Sequence, residues 1–187
     1  MPKSLADGRT KVAILSQKPA DPLAPTLTEL NAGIDASCRL NASDFNVGPT
    51  DSETIDEKEL CVEGNATALG PSNATIEFTP FRYFNLETGK AEENSGDEIG
   101  DAVFQATKRK GSRLWMVIRE TSKKATDDWA AGDEVNVFEF ITDNPQNVDR
   151  TGYIKRKVMG AYQDMWLNGE VAGNSGGGGD SDSGIDG

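Results

Sequence analysis

The sequence contains no histidine. That removes Ser–His–Asp triads, histidine zinc ligands and imidazole acid–base chemistry at neutral pH. Cysteine is scarce, with only Cys38 and Cys61. Cys38 sits in an apolar-flanked stretch and Cys61 between Leu60 and Val62. Both are expected as small buried hydrophobes in a reduced compartment, with a disulfide or a reactive thiol as the alternative. Long apolar runs are also missing. The longest cover residues 12–15 and 114–118, against roughly 20 residues for a membrane-spanning helix. Residues 1–15 lack the apolar core of a signal peptide, so the sequons at Asn41, Asn65 and Asn73 are expected to be accidental. Bases are outnumbered, with 19 Lys and Arg against 31 Asp and Glu and a net charge of −12. This is a poor footprint for nucleic-acid affinity and suits a surface that must not stick to DNA.

What is present reads as one β-rich domain. The 187 residues suit a single domain with extensions. Residues 1–10 are a polar arm. A short strand at 11–16 is followed by three prolines, a helical turn at 26–31 and Gly33. Residues 34–40 alternate Ile34, Ala36, Cys38 and Leu40 against Asp35, Ser37 and Arg39, the period of a half-buried strand. Residues 74–84 place Ile76 and Phe78 on one face, with Pro80 as a bend or edge marker. Ser95 and Glu98 fit a capping box. Ile99, Ala102, Val103 and Ala106 then recur at helical spacing, with Lys108, Arg109 and Lys110 toward the C-terminal end and Gly111 after it. Residues 114–119 are almost wholly apolar apart from Arg119 and predict a strand covered on both faces. Strands follow at 134–142, 153–159 and 163–172, with a turn at 143–146. About seven strands and one helix predict a mainly β fold, an antiparallel β-sandwich or barrel with one flanking α-helix. The domain is expected to span 11–172. Residues 173–187, rich in Gly, Asp and Ser, are a flexible tail.

No stretch carries a convincing chemical signature. The run from Gly176 to Asp182 resembles one calcium-binding nonapeptide, but such repeats need stacked neighbours. In 143–154, Val148 and Ile154 stand where a calcium loop needs glycine and glutamate. Residues 64–70 lack the Lys and Ser/Thr of a phosphate loop. Asp127–Asp128 and Glu92–Glu93 are read as solvated loop charge, since a glycosidase needs acids opposed across a cleft. Trp115 is expected in the core. Trp129 and Trp166, in polar contexts, suit either core or interface. No catalytic, cofactor or metal residues are predicted.

The charges are segregated along the chain. Residues 41–64 hold Asp44, Asp51, Glu53, Asp56, Glu57, Glu59 and Glu63 against Lys58, a net −6, and form a long acidic loop or hairpin. Residues 87–101 carry a net −5, 105–124 a net +6 and 150–157 a net +4. One reading is a set of solvated faces. The other is a molecule whose acidic and basic patches meet on neighbouring copies. Such heterologous contact builds rings or filaments, and complementary charge sets its register.

Several segments resemble the major tail proteins (tail tube proteins) of long-tailed bacteriophages infecting actinobacteria. They are residues 6–12 (ADGRTKV), 29–35 (ELNAGID), 67–71 (TALGP), 132–135 (GDEV) with 143–146 (DNPQ), and 152–154 (GYI). The resemblance runs over about 5–172. It implies a β-sandwich or barrel with a flanking helix and no catalytic residues. It also implies stacked hexameric rings forming the conduit for DNA ejection, with genomic DNA passing an acidic lumen without specific binding. Its implied partners are further copies of itself, a tape measure protein, a tail terminator and distal tail proteins, in a virion tail assembled in the host cytoplasm. Alternatives are a tail terminator or head–tail connector ring protein, or a secreted β-sandwich carbohydrate-binding module using the tryptophans.

Overall fold

The computed structural model describes residues 6–55, 61, 68–92, 94–95 and 98–173. In chain order these form β1 (Thr10–Leu15), α1 (Leu27–Ala32), β2 (Ile34–Asp35), a 3-10 turn (Ala42–Asp44), β3 (Asn46–Thr50), β4 (Thr54–Ile55), β5 (Ala68–Leu69) and β6 (Asn73–Phe78). There follow β7 (Asn94–Ser95), β8 (Glu98–Ile99), α2 (Ala102–Thr107), β9 (Arg113–Glu120), β10 (Glu134–Thr142), β11 (Gln146–Asn147) and β12 (Arg156–Glu170). The main sheet is antiparallel in the order β2-β1-β9-β10-β12-β6-β3, with β11 on β12. The hairpins β4–β5 and β7–β8 stand apart from it.

The two-residue period of a strand sends alternate side chains to opposite faces, and here both faces are covered. On one face lie Val12, Ile14, Leu114, Met116, Ile118, Phe138 and Phe140, joined by Ile76, Phe78, Val158 and Val103. On the other lie Ala13, Leu15, Trp115, Val117, Val135 and Val137, capped by Leu30, Trp129 and Val171. The unbroken apolar run of β9 follows from this double burial.

The sheet coils. Ile76 and Phe78 of β6 share a core with Val12 and Ile14 of β1, four strands away in sheet order. Phe78 meets Phe140 edge to face, with ring centroids 5.9 Å apart, each burial contributing about 1.5–3 kcal/mol. The chain past β2 also meets the chain past β6. Asn41 N–H donates to Thr79 O and Phe81 N–H to Arg39 O, both at 2.9 Å, around a Leu40–Pro80 bridge. This tie closes the coil toward a barrel.

One strand makes the coil possible. β12 pairs with β10 over 160–170 and with β6 at Val158 and Met159. At the handover stands Gly160. A Cβ there would come within 2.6 Å of the Phe140 ring and 2.7 Å of Ile76 Cγ2. The close approach requires glycine, and β12 continues through it. The two strands expected at 153–159 and 163–172 are therefore one, and Tyr153 lies outside it. Two register shifts along β10–β12 bend the pair further.

Other departures have local causes. The strand expected over 34–40 stops at Asp35, whose carboxylate accepts hydrogen bonds from Ser37 N–H (2.9 Å) and Ser37 Oγ–H (2.6 Å), turning the chain. The strand expected over 74–84 ends at Phe78, because Thr79 O and Phe81 N–H are engaged by 39–41. The capping box belongs to α1. Thr26 Oγ1 accepts from Glu29 N–H at 3.2 Å, and the Glu29 carboxylate accepts from Thr26 N–H at 2.8 Å. Ser95 and Glu98 lie instead in β7 and β8, and α2 begins only at Ala102. Two short α-helices thus replace the single one expected. Residues 1–5 of the expected arm, most of the acidic stretch after Ile55 and residues 174–187 of the expected tail lie outside the described residues, and Thr10 at the end of that arm belongs to β1.

Replacing Gly160 with valine is expected to cost about 1–3 kcal/mol by overpacking the Phe140–Ile76 junction. Urea unfolding should show a lowered midpoint at an unchanged slope. A wild-type midpoint would mean that the junction can yield.

Candidate interaction surfaces

The tryptophans divide between core and surface. Trp115 and Trp129 are buried. The Trp129 ring lies between Arg119, 5.4 Å from its centroid, and Lys11, 5.5 Å away. Trp166 is half-buried, with Lys18 Nζ 4.5 Å above it. Cys38 and Cys61 are both exposed, which corrects the buried placement expected from their neighbours. Cys38 follows the turn at Asp35, so the strand alternation that would have buried it has already ended. Asp127 accepts from Lys124 N–H at 2.8 Å, and Glu92 from the Asn85 amide at 2.7 Å. Glu93 and most of the 64–70 and 176–182 stretches lie outside the described residues. Among the described residues, no group of acids and cysteines could hold a metal ion. No helix among the described residues is long and apolar enough to cross a membrane.

The basic block at 105–124 is not one patch. Arg119 is fully buried and organises the loop over 121–133. Its Nη1 donates to Asp133 Oδ2 and Asp128 O, both at 2.9 Å, and its Nη2 to Lys124 O at 2.7 Å. Lys123 also pairs with Asp133. Burial pushes the Asp133 carboxyl up, but hydrogen bonds from Lys123, Ala130 N–H and Arg119 outweigh it and hold the group below its ordinary value. Arg113 pairs with Glu139 at 3.0 Å and Lys110 with Asp143 at 3.2 Å. Lys108 and Arg109 remain exposed and outside any ion pair among the described residues. They sit beside the end of β10, where Thr142 Oγ1 donates to Arg109 O.

At the other end of the same strands lies an acidic row that the linear sequence conceals. Glu134 of β10 pairs directly with Glu170 of β12. Glu120 of β9 falls opposite Glu134, one pleat past the last β9–β10 pair, Ile118–Asn136. All three are exposed and outside any ion pair among the described residues. Like charges directly opposite across strands cost roughly 0.2–1 kcal/mol per pair. The row therefore stores repulsion that a basic surface would relieve. Lys108 and Arg109 stand at one end of the sheet and the three glutamates at the other, about 25 Å away at 3.4 Å per residue, with Arg9 and Lys124 close to Glu120 in the chain and register.

Apolar exposure is concentrated as well. The segment after β6 runs beside 153–155, with Arg82 N–H donating to Ile154 O at 2.8 Å and Phe81 bridging to Lys155. Tyr153 is 81% exposed and meets Phe81 edge to face. Ile154, Phe84 and Leu86 are exposed nearby. Asp101, completely buried, holds this segment in place. It accepts Arg82 Nε (2.8 Å) and Nη2 (3.0 Å), Tyr83 N–H (3.0 Å) and the Gln105 amide (2.6 Å). The Arg82 guanidinium lies over the rings of Phe104 and Phe84. The Asp101 carboxylate, on the N-cap residue of α2, thus anchors a loop.

The described surfaces carry charge at two ends and apolar residues held on ordered segments. No curated protein matches the chain with significance. A model of the phage tail tube protein family matches residues 1–174, which takes in every strand from β1 to β12. The chain belongs to the phage tail tube protein family, a structural component of the virion tail.

Proposed function

We propose that the chain is the major tail tube subunit, polymerising as stacked hexameric rings that form the conduit for DNA ejection. The working domain is 11–172, with 1–10 as an arm and 173–187 as a tail. Its role is structural and not catalytic. The observation that carries the stacking is the opposed charge at the two ends of the sheet, Glu120, Glu134 and Glu170 at one and Lys108 and Arg109 at the other. Two unlike ends on one molecule make a heterologous contact, which propagates instead of closing as a dimer. The charges set orientation, while buried apolar area supplies affinity. The net charge of −12 suits a lumen through which genomic DNA slides without specific binding. The resemblance to tail proteins of actinobacteriophages supports an actinobacterial host, assembly in its cytoplasm, and contacts with a tape measure protein, a tail terminator and distal tail proteins. Residues 41–64 of one subunit meet the adjacent ring.

Negative-stain images of intact virions, and of the concentrated protein, should show stacked rings, with this chain among the most abundant tail components. Only isolated or two-fold-paired copies in both would overturn the proposal. Deleting residues 56–64 should leave a folded, unassembled monomer by circular dichroism and sedimentation, whereas tubes of normal length would remove that segment from the contact. The substitution Glu134→Gln breaks the acidic row at its centre. It should raise monomer stability by about 0.5–1 kcal/mol in urea titration while lowering tube yield, and a yield equal to wild type would show that the row does not take part in stacking.

A further inference from the structure

We infer that residues 17–25 are an edge guard, a segment that covers the outer edge of β12 at its C-terminal end and keeps the free subunit from pairing that edge with strands of other copies. The inference goes beyond the stacked-ring reading and does not depend on it.

The ladders define the edge. β10 holds one side of β12 from Gly160 to Glu170, while β6 holds the other side only at Val158 and Met159. Val171 N–H donates to Asp133 O and Val171 O accepts from Gly132 N–H, so Val171 faces the start of β10. Backbone groups alternate in direction along a strand, and the N–H groups of Glu170 and Ala172 therefore point away from β10. Left open, they would be a template for another strand. Instead Glu170 N–H donates to Leu23 O and Ala172 N–H to Pro25 O, both at 2.9 Å, and Thr26 bridges to Ala172.

The cover has a fitted seat. A Cβ on Gly169 would come within 2.5 Å of Leu23 O and 3.0 Å of Leu23 Cα, so only glycine lets the segment lie this close. Pro19, Pro22 and Pro25 are all buried, while Ala20, Asp21 and Leu23 between them are exposed. The fixed φ of proline lowers the entropy lost on ordering. The guard is also a poor template itself. Its three prolines have no N–H. Ala20 N–H donates to Glu29 Oε1 at 2.7 Å, Leu23 N–H to Asp21 Oδ1 at 3.0 Å and Ala24 N–H to Asp21 O at 3.0 Å. At the near end Lys18 holds its charge 4.5 Å above the Trp166 ring, and an edge lysine repels further strands. Earlier in β12 the edge is broken by other means. The register with β10 shifts between the Glu139–Asp164 and Phe140–Tyr162 pairs, and Asn168 has a φ of 56°. Such irregularities turn an edge away from flat pairing. The guard covers the stretch beyond them.

The test uses the full chain at a concentration where the wild type is monomeric. Gly169→Val drives Leu23 off its seat. Asp21→Gly with Pro22→Gly loosens the guard without touching β12. In both, amide exchange at Glu170 and Ala172 should quicken by about tenfold or more, and sedimentation should show monomer lost to thioflavin-positive aggregates. Gly160→Val, destabilised elsewhere in the same strand, should stay monomeric. Faster exchange with a wild-type monomer content overturns the guard. So does exchange that quickens in neither variant, and so does equal aggregation of Gly160→Val, which would trace the loss to instability. Should Gly169→Val not fold by circular dichroism, the Asp21→Gly, Pro22→Gly chain decides by the same readouts.

Discussion

A single strand, β12, belongs to two sheet segments at once, and the arrangement of the rest follows from that. Its C-terminal part completes the ladder with β10, and its first residues carry β6 and through it β3. At Gly160 the missing Cβ lets Phe140 and Ile76 close over the backbone. Without that approach β6 could not turn back over the sheet, and Phe78 would lose its contact with Phe140. Packing at crystal-like density leaves little room for another solution. The β3–β6 ribbon is held where the strand bends.

Two buried ion pairs then hold the loops that the sheet leaves over. Arg119 with Asp133 gathers the 121–133 loop against β9 and Trp129. Arg82 with Asp101 fastens the segment after β6 to the start of α2. Desolvating such pairs costs as much as their attraction returns unless further hydrogen bonds satisfy them, and both carboxylates here accept several. Their effect is geometric. Each selects one loop position out of many, which a surface that must match another copy requires.

The surfaces so placed are unlike at the two ends of the molecule. Strand direction supplies the polarity, since β9, β10 and β12 bring three glutamates to one end and leave Lys108 and Arg109 at the other. Repulsion within the glutamate row disfavours the free monomer slightly. That is tolerable in a subunit of the phage tail tube family, whose working state is an assembly. Exposed Tyr153, Ile154 and Leu86 fit the same logic.

The sequence by itself determined the β class, the doubly covered β9 and the whole of β10, while α2 stops at Thr107, short of the Gly111 expected to close it. The strands rest on local periodicity and on backbone preferences that a few neighbouring residues express. It misjudged features whose cause lies elsewhere in the chain. The break of the strand at Asp35 was written in a serine two residues on, but the ends of β6 were settled by residues 39–41. The continuity of β12 was settled by Phe140 and Ile76. The basic block at 105–124 was legible as charge, yet Arg119 is wholly buried, Lys108, Arg109 and Arg113 stand at the start of β9, and Lys123 and Lys124 follow its other end. The glutamate row was invisible, because Glu120, Glu134 and Glu170 are far apart in sequence and become neighbours only when antiparallel pairing sets their register. Charge is counted along a chain, but it acts through distance in space, and only the fold assigns the distances.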